Sequence, residues 1–399
     1  MVMNEPSFGL ADLVMDPDLT IKKARALGRA VAIDSGVLVV EHGAIREVLQ
    51  DRRVKNSLTD TLHLFGVTSG LFHDWMGMSP LDMEGEEHRR WRILMTRAFT
   101  PKSVEKLRPA IREESERLVA AFVDDGKCDF VEAFAQKLPS FGLAELIGVP
   151  IEDREIFSRW ADTIGYGLNF SECAAHIDEV DAALAALLEY AGKLVDARRL
   201  EPRDDLVSRL ALATDTGLSE AHIKGSVAGL VFAGHETTKN QLGLMISVLS
   251  AAPEEWDRVA REPSRVRAVV EEVLRYRSAA TGVGRIATDD LVVGGCPVQK
   301  GTRILASLWA ANRDPAVYAD PDRVDPDAHA EPPQLAFGHG AHHCIGATLA
   351  RAELQEALVV LSSRITCPHL EEGSEWAPQM GITGPKVLPI RFERRPSER

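Results

Sequence analysis

A glycine-rich stretch near the C-terminus constrains the fold of this chain most strongly: Phe337-Gly-His-Gly-Ala-His-His-Cys344-Ile-Gly346. It leads into an apolar series with helical spacing between Leu349 and Leu361. A cysteine at a helix start lies near unpaired backbone N–H groups and the positive end of the helix dipole, and both stabilise a thiolate. Glycines let the backbone approach a large flat ligand. We therefore expect this loop to present a thiolate to a ligand.

Three chemical interpretations of this loop remain open. Cys344 could be a buried small hydrophobe, which is the common role of a free cysteine. His339, His342, His343 and Cys344 could bind zinc, since imidazole and thiolate are its usual ligands. Four ligands within so few residues give poor tetrahedral geometry, however, and no second Cys/His pair occurs at finger spacing. The third interpretation is a single thiolate bound to haem iron.

The spacing Phe337-Gly-x-Gly-x-His-x-Cys344-x-Gly resembles the haem-binding motif of the cytochrome P450 family. Further segments resemble that family in the same order along most of the chain. The resemblance implies that Cys344 is the axial ligand of the iron of haem b, with Phe337 packed beneath it and His342 among the haem contacts. It also implies a single, mainly α-helical domain over residues 1–399, with small β-sheets and a long central helix over the haem.

Local patterns agree with a mainly helical chain. Short β-rich runs at 37–40, 291–293, 303–305 and 387–390 are separated by helical patterns. Strands this far apart in sequence predict small sheets assembled from distant segments. No repeat or linker divides the chain.

Bulk composition excludes some partners. The chain has 399 residues, 45% of them hydrophobic, and a net charge of -14, which disfavours nucleic acid and anionic membranes as partners. Its five cysteines are an odd number and show no regular spacing, which indicates a protein of the reducing cytosol without a disulfide framework. The N-terminal residues lack the pattern of a signal peptide or membrane anchor. We expect a cytoplasmic protein that is not bound to a membrane.

A long helical pattern begins after Ser219, a plausible N-cap, and ends before Pro253. Its middle, Ala233-Gly-His-Glu236-Thr237-Thr, contains poor helix formers and an acid among apolar residues. One interpretation is that Glu236 lies on the protein surface and that the helix tolerates the glycine after Ala233 without any functional reason. Residues that contradict local preference are also typical of functional sites.

The same segment resembles the acid–alcohol pair of the P450 family. Ala233 and its glycine would then leave room for dioxygen, and the Thr237 hydroxyl would donate a hydrogen bond to it from the same helix face. Glu236 would relay protons from solvent, because cleavage of the O–O bond consumes protons. The resemblance thus implies catalytic roles for Glu236 and Thr237.

His88 and Arg92 share one face of a predicted helix and could bind a carboxylate. A solvated face with pairs such as Glu84/His88 is the alternative. The segment resembles the haem-propionate helix of the family, which implies that His88 and Arg92 bind haem propionates. Arg285 resembles the third propionate contact of the family; its alternative role is a strand-edge arginine.

Glu272 and Arg275 are three residues apart on a predicted helix, and such a pair is usually a surface salt bridge. In the family, the matching E-x-x-R implies a buried structural pair. The arginine that usually joins this pair is not evident, and His329 is the nearest candidate for that place.

Together these features predict a haem-thiolate monooxygenase. It would insert one oxygen atom of O₂ into a C–H or C=C bond of a small hydrophobic substrate, in secondary metabolism or catabolism. Oxidative coupling or desaturation at the same haem is the alternative, and a haem-binding sensor is a third class. The candidate substrate contacts are Phe232, Ala233, Thr281, Val283 and Ile382.

Electrons must come from outside the chain, because no flavin, nicotinamide or iron–sulfur motif occurs. The resemblance implies an external ferredoxin-type electron donor with its reductase. We expect it to dock near Arg89, Arg90 and Arg351, which place local positive charge on an acidic protein.

Overall fold

The computed structural model describes residues 8–96, 99–213, 218–328 and 331–396. Helices dominate this part of the chain. They are α1 Leu10–Met15, α2 Pro17–Leu27, α3 His42–Gln50, α4 Leu58–Leu64, α5 Leu71–Gly77, α6 Gly85–Thr96, α7 Pro101–Glu105, α8 Arg108–Ala120, α9 Lys137–Ile147, α10 Arg154–Gly165, α11 Phe170–Cys173, α12 Ile177–Leu200, α13 Leu206–Ala211, α14 Glu220–Ser250, α15 Pro253–Arg261, α16 Val266–Tyr276, α17 Leu308–Asn312 and α18 Ala347–Arg364.

Short 3-10 helices and one π-helical segment connect some of these helices. The 3-10 segments are Ile151–Asp153, Tyr166–Leu168, Ala174–His176, Pro263–Arg265 and Gly340–His342, and the π-helical segment is Val131–Ala135. The strands are β1 Ala30–Ile33, β2 Gly36–Val39, β3 Val54–Asn56, β4 Lys127–Asp129, β5 Val283–Ala287, β6 Leu291–Val293, β7 Cys296–Val298, β8 Arg303–Ala306, β9 His369–Leu370, β10 Glu375–Trp376, β11 Pro385–Val387 and β12 Pro389–Arg391.

The strands form small sheets from distant parts of the chain, as predicted. The largest has the order β1-β2-β8-β5-β3, in which β2 and β8 run parallel with Leu38 beside Leu305. The other pairs in this sheet are antiparallel. Near the C-terminus, β12 pairs with both β4 and β9. The prediction of a mainly helical fold with small sheets is confirmed.

Helix α14 is the longest element and passes through the main hydrophobic core. It has 31 residues, and at 1.5 Å per residue it spans about 46 Å. Ser219 caps it as predicted, since its hydroxyl oxygen accepts a hydrogen bond from the His222 N–H at 3.2 Å. Buried residues lie all around α14, because α9, α10 and α12 pack against it. No helix in the described ranges is long and apolar enough to cross a membrane.

Candidate active site

A cavity of about 440 Å³ lies between the middle of α14, the cysteine loop and the edge of the largest sheet. Most of the side chains that line it are apolar. The cavity brings together most of the candidate site residues, although they come from separate parts of the sequence. Those on its wall are His88, Arg92, Ala233, Thr237, Thr281, Val283, Arg285, Phe337, His342, Cys344 and Ile382.

The cysteine loop ends shortly before α18 begins and places Cys344 on the cavity wall. The Cys344 N–H donates to the Phe337 carbonyl at 2.9 Å, which closes the loop. Gly340 has a φ of +75°, and a β-carbon there would lie 2.3 Å from the carbonyl oxygen of Leu49. Any side chain at position 340 would therefore displace the backbone of α3.

Cys344 is exposed on the cavity wall, within the interior of the fold. Burial raises the pKa of the Cys344 thiol, whereas the Gly346 N–H and the charges of Arg92 and Arg351 act in the opposite direction. The Arg351 guanidinium lies 4.4 Å from the centre of the Phe337 ring. Within the described residues, the cysteine and the loop histidines do not form a group of three ligand atoms close enough to share a metal ion. The arrangement favours a single thiolate ligand over zinc.

His88 and His342 form one polar corner of the cavity. Their rings stack with centroids 4.0 Å apart. Burial, followed by the charges of His342 and Arg92, lowers the pKa of His88 to about 4, so His88 is neutral at pH 7. His342 is held by Asn56 at 2.9 Å and by a carboxylate oxygen of Glu84 at 3.3 Å. A neutral His88 can donate a hydrogen bond but adds no charge to the site.

Three arginines line the cavity, Arg92, Arg285 and Arg303, and the first two are candidate site residues. Arg285 is only 9% exposed, and burial lowers its pKa to about 10. Burial also lowers the pKa of Arg92, although the charge of Cys344 acts against this. Among the residues with described positions, neither guanidinium has a carboxylate within ion-pair distance. Buried charge without a partner is costly, so these two arginines fit a ligand that carries carboxylates, as haem does in its propionates.

The middle of α14 contributes a hydroxyl to the cavity wall. Thr237 lines the cavity, and its hydroxyl donates to the Ala233 carbonyl at 2.6 Å. In this rotamer the oxygen offers lone pairs to the cavity, and the hydroxyl must rotate to donate there. A β-carbon at Gly234 would lie 2.8 Å from a methyl group of Leu143 on α9. Any side chain at position 234 would therefore push the Leu143 side chain aside, a packing constraint that the sequence pattern did not indicate.

Glu236 is not on the cavity wall. One of its carboxylate oxygens lies 2.5 Å from the Lys239 ammonium, and the other accepts a hydrogen bond from the Asn240 amide at 2.9 Å. The same carboxylate faces Gly165 at the end of α10, where a β-carbon would lie 2.8 Å from it. Glu236 must change its side-chain conformation before it can reach Thr237 from inside the cavity.

The prediction that Phe232 contacts the substrate is wrong. Phe232 is fully buried and packs edge-on against Phe72 and Trp75, with ring centroids 6.0 and 5.6 Å away. Trp75 lies on the cavity wall, so Phe232 is one layer behind it. On a helix that is buried all around, sequence spacing does not tell which apolar side chain meets a cavity.

Glu272 and Arg275 form a buried ion pair on α16, with atoms 2.7 and 2.8 Å apart. The other guanidinium hydrogens bond to the backbone carbonyls of Asn312, Pro321 and Arg323 at 2.8–3.0 Å. At the Glu272 carboxylate, where a third charged partner was expected, the Asp325 backbone N–H donates a hydrogen bond at 2.7 Å. His329, the candidate for that place, lies outside the described residues.

Sequence reasoning missed Glu353 on α18. It is 1% exposed and lines the cavity, and one carboxylate oxygen has no hydrogen-bond partner in the described part of the chain. Burial raises its pKa well above the usual range, although a hydrogen bond with Thr238 acts against this. Burial therefore favours the protonated form of Glu353. Its position on the apolar face of α18, near Leu349 and Ala357, was the available signal.

The predicted basic docking surface is only partly free. Arg89 and Arg90 are well exposed, and both pair with Glu86. Arg351 instead forms an ion pair with Glu271 at 2.5 Å and covers the Phe337 ring. The exposed positive charge thus lies on α6.

Comparisons with known proteins agree with this site. The family model "Cytochrome P450" matches residues 169–364. A luteothin monooxygenase of Streptomyces thioluteus is 32% identical over 358 residues, which cover 89% of this chain and 88% of the relative. A mycinamicin IV hydroxylase/epoxidase of Micromonospora griseorubida is 39% identical over 319 residues, 78% of this chain and 79% of the relative.

The fold has solved counterparts as well. The crystal structure of P450BioI in complex with an acyl carrier protein carrying hexadec-9Z-enoic acid has a TM-score of 0.87 with 28% identity. It is matched over 96% of this chain and 100% of that chain. A mutant of P450 EryK in complex with erythromycin B has a TM-score of 0.83 with 30% identity, over 98% of this chain and 99% of that chain. The predicted fold, with its long central helix, is confirmed.

Proposed function

Because this chain belongs to the cytochrome P450 family of haem monooxygenases, we propose that it inserts one oxygen atom of O₂ into a C–H or C=C bond of a small hydrophobic molecule. One observation carries the proposal. A single cavity presents Cys344 on its wall together with two arginines that lack carboxylate partners in the described structure, the half-buried Arg92 and the buried Arg285. A thiolate ligand and two propionate contacts are what a haem requires of its protein.

The cofactor we propose is haem b, with Cys344 as the axial ligand and Phe337 packed against it. Arg92, Arg285 and His342 would hold the propionates, and neutral His88 would donate a hydrogen bond to them. When bound, the haem supplies an iron at which dioxygen is reduced, and the thiolate favours cleavage of the O–O bond.

Two side chains of α14 would supply and donate the protons that this reaction consumes. Thr237 lies on the cavity wall, and rotation of its hydroxyl away from the Ala233 carbonyl would let it donate into the cavity. Glu236 would pass protons toward Thr237 after its carboxylate leaves Lys239 and Asn240. We therefore assign proton donation to Thr237 and proton supply to Glu236.

The substrate class we propose is a small hydrophobic molecule of secondary metabolism. Thr281, Val283 and Ile382 add to a mostly apolar wall, together with Ala233. Relatives bear names that support this class, among them an erythromycin C-12 hydroxylase, 33% identical over 361 residues, and a nocardicin C N-oxygenase, 38% identical over 321 residues. A wall with few polar anchors selects by shape and by burial of apolar surface.

We propose a ferredoxin-type protein and its reductase as the electron source. An acidic donor would bind on α6 through Arg89 and Arg90, rather than through Arg351, which Glu271 neutralises. All cysteines in the described residues are free thiols, which supports a reducing cytoplasm as the location.

Oxidative coupling at the same centre is the second candidate. It is favoured by one solved relative, an enzyme for C–S bond formation with a TM-score of 0.82 and 28% identity over 96% of this chain. Turnover under ¹⁸O₂ separates the two functions: monooxygenation adds one labelled oxygen atom to the product, and coupling adds none.

Replacing the thiolate tests the proposal directly. We expect wild-type protein, purified with haem and reduced under carbon monoxide, to show the absorption band characteristic of thiolate-ligated haem. Cys344→Ser should lose this band, because a serine oxygen is a far weaker donor than a thiolate. The matched control is Cys128→Ser, away from the cavity, which should keep it. A retained band in Cys344→Ser would assign the axial ligand elsewhere, and colourless wild-type protein would contradict the function.

A further inference from the structure

Behind the cavity wall, a buried polar cluster joins α10, α14 and α9. His235 of α14 is fully buried, and its two ring nitrogens lie 2.8 Å from the Ser140 hydroxyl and 2.8 Å from the Asp162 carboxylate. The same Asp162 oxygen lies 3.5 Å from the Lys239 ammonium, which in turn lies 2.5 Å from Glu236. Asp162 therefore connects α10 to two residues near Glu236 on α14: His235, which directly precedes it, and Lys239, which lies three residues after it.

Lys239 places a positive charge between the two carboxylates of this cluster, those of Glu236 and Asp162. Burial alone would lower the pKa of Lys239, but the nearby carboxylates of Glu236 and Asp162 outweigh it and raise that pKa. Burial would raise the pKa of Asp162, but the hydrogen bond from His235 and the charge of Lys239 lower it. At neutral pH the cluster thus contains one ammonium between two carboxylates.

A metal ion is the alternative occupant of this place. Ligand atoms of Asp162, His235 and Glu236 all lie within 4.8 Å of one another, the one such group in the described ranges. The Lys239 ammonium, however, already contacts two of the three ligands. The chain supplies its own cation there, so a metal would have to displace a buried lysine.

We propose that Asp162 is a positioning residue for proton supply in this enzyme. It anchors Lys239 and His235 from α10, and through Lys239 it holds the Glu236 carboxylate behind the cavity wall. Since Asp162 lies on a different helix, 73 residues before His235, the position of Glu236 depends on how α10 packs against α14. This inference rests on the proposed role of Glu236 in oxygen chemistry.

Removing one negative charge should lower the proton affinity of the whole cluster, because Lys239 then faces a single carboxylate. Asp162→Asn keeps the shape of the side chain and removes only the charge. We expect oxygen consumption by the holoenzyme to fall several-fold at neutral pH, with its pH profile shifted toward lower pH. The solvent deuterium isotope effect should rise, since proton supply becomes slower.

The experiment compares Asp162→Asn and Asp162→Glu holoenzymes, driven by a surrogate ferredoxin with its reductase. Asp162→Glu should restore part of the rate and of the pH profile, which a merely structural loss would not show. Glu155→Gln, an exposed change on the same helix, is the control and should leave both unchanged. Lys239→Met should also slow oxygen consumption, but it should shift the pH profile toward higher pH, because it removes a positive charge instead of a negative one. The rate of the double variant should be no lower than that of either single variant.

Crystal structures of the variants supply a measurement that does not depend on turnover. In Asp162→Asn we expect Lys239 to leave α10 and the Glu236 carboxylate to change its orientation. An Asp162→Asn structure with an unchanged Lys239–Glu236 pair, together with a wild-type pH profile and isotope effect, would overturn the proposal. So would stoichiometric metal in the wild-type protein at this cluster. Failure of the Cys344→Ser test would instead refute the proposed function and leave the geometry of the cluster intact.

Discussion

Two regions of this protein bury arginine in opposite ways. On α16, the Arg275 guanidinium is completely satisfied by Glu272 and backbone carbonyls. On the cavity wall, Arg285 is buried and Arg92 is half-buried, and neither has a carboxylate partner among the described residues. A buried charge that is fully paired belongs to the fold, whereas one left unpaired at a cavity indicates an anionic ligand. The same residue type thus has a structural role in one region and a binding role in the other.

Breaking the paired region should have the largest effect. Arg275→Met leaves the buried Glu272 carboxylate without its cationic partner, with only the Asp325 N–H still donating to it, and frees three carbonyl groups. This should lower the free energy of unfolding by about 3–5 kcal/mol. Chemical denaturation of the apoprotein, followed by circular dichroism, measures this. We expect a low yield of folded protein as well.

The control for that change is Arg89→Met, which breaks an exposed pair and should cost less than about 1 kcal/mol. If Arg275→Met prevents folding entirely, the double change Glu272→Leu/Arg275→Met should recover folded protein, since no charge is then left buried. An Arg275→Met protein as stable as wild type would remove the distinction between the two regions.

Changing the unpaired region should affect ligand binding rather than the fold. Arg285→Met removes a buried charge whose guanidinium donates to the Gly284 carbonyl but has no carboxylate partner among the described residues, so the free energy of unfolding of the apoprotein should not fall. Haem should dissociate roughly 10- to 100-fold faster, because a hydrogen bond to a charged group contributes about 1.5–3 kcal/mol. The rate of haem transfer to apomyoglobin measures this, with Arg267→Met, an exposed change on α16 away from the cavity, as the control. Equal destabilisation of the apoprotein would show that Arg285 is structural.

The smallest effect concerns the buried acid on α18. The raised pKa of Glu353 means that its contribution to stability is fully present below the ordinary carboxyl pKa and is lost as pH rises toward the folded-state value. Glu353→Gln is neutral at every pH and does not lose stability in this window. We expect the melting temperature of the variant, relative to that of wild type, to rise progressively as pH increases above the ordinary carboxyl pKa.

Thermal unfolding of the apoproteins across this pH range tests the sign. Glu113→Gln, an exposed change on α8, is the matched control. Its melting temperature should change with pH in the same way as that of wild type. A Glu353→Gln protein whose melting temperature falls relative to wild type at high pH would show that Glu353 is ionised and paired.

Sequence alone determined the features that depend on neighbouring residues. The cysteine loop before α18, the Ser219 cap of α14 and the polar break around Thr237 follow from glycine geometry, capping and periodicity within a few residues. The resemblance to a known family followed from the same local patterns. Such interactions are local, so one stretch of sequence is enough to predict them.

The tertiary structure decided which side chains meet across the fold. It placed Phe232 behind the wall, turned Glu236 toward Lys239 and α10, and neutralised Arg351 with Glu271. These outcomes depend on how helices far apart in sequence pack against one another, and hydrophobic periodicity specifies a buried face without naming its neighbour. Burial then sets the charge state of a group such as Glu353, because the free energy of ionisation depends on the whole surrounding protein rather than on adjacent residues.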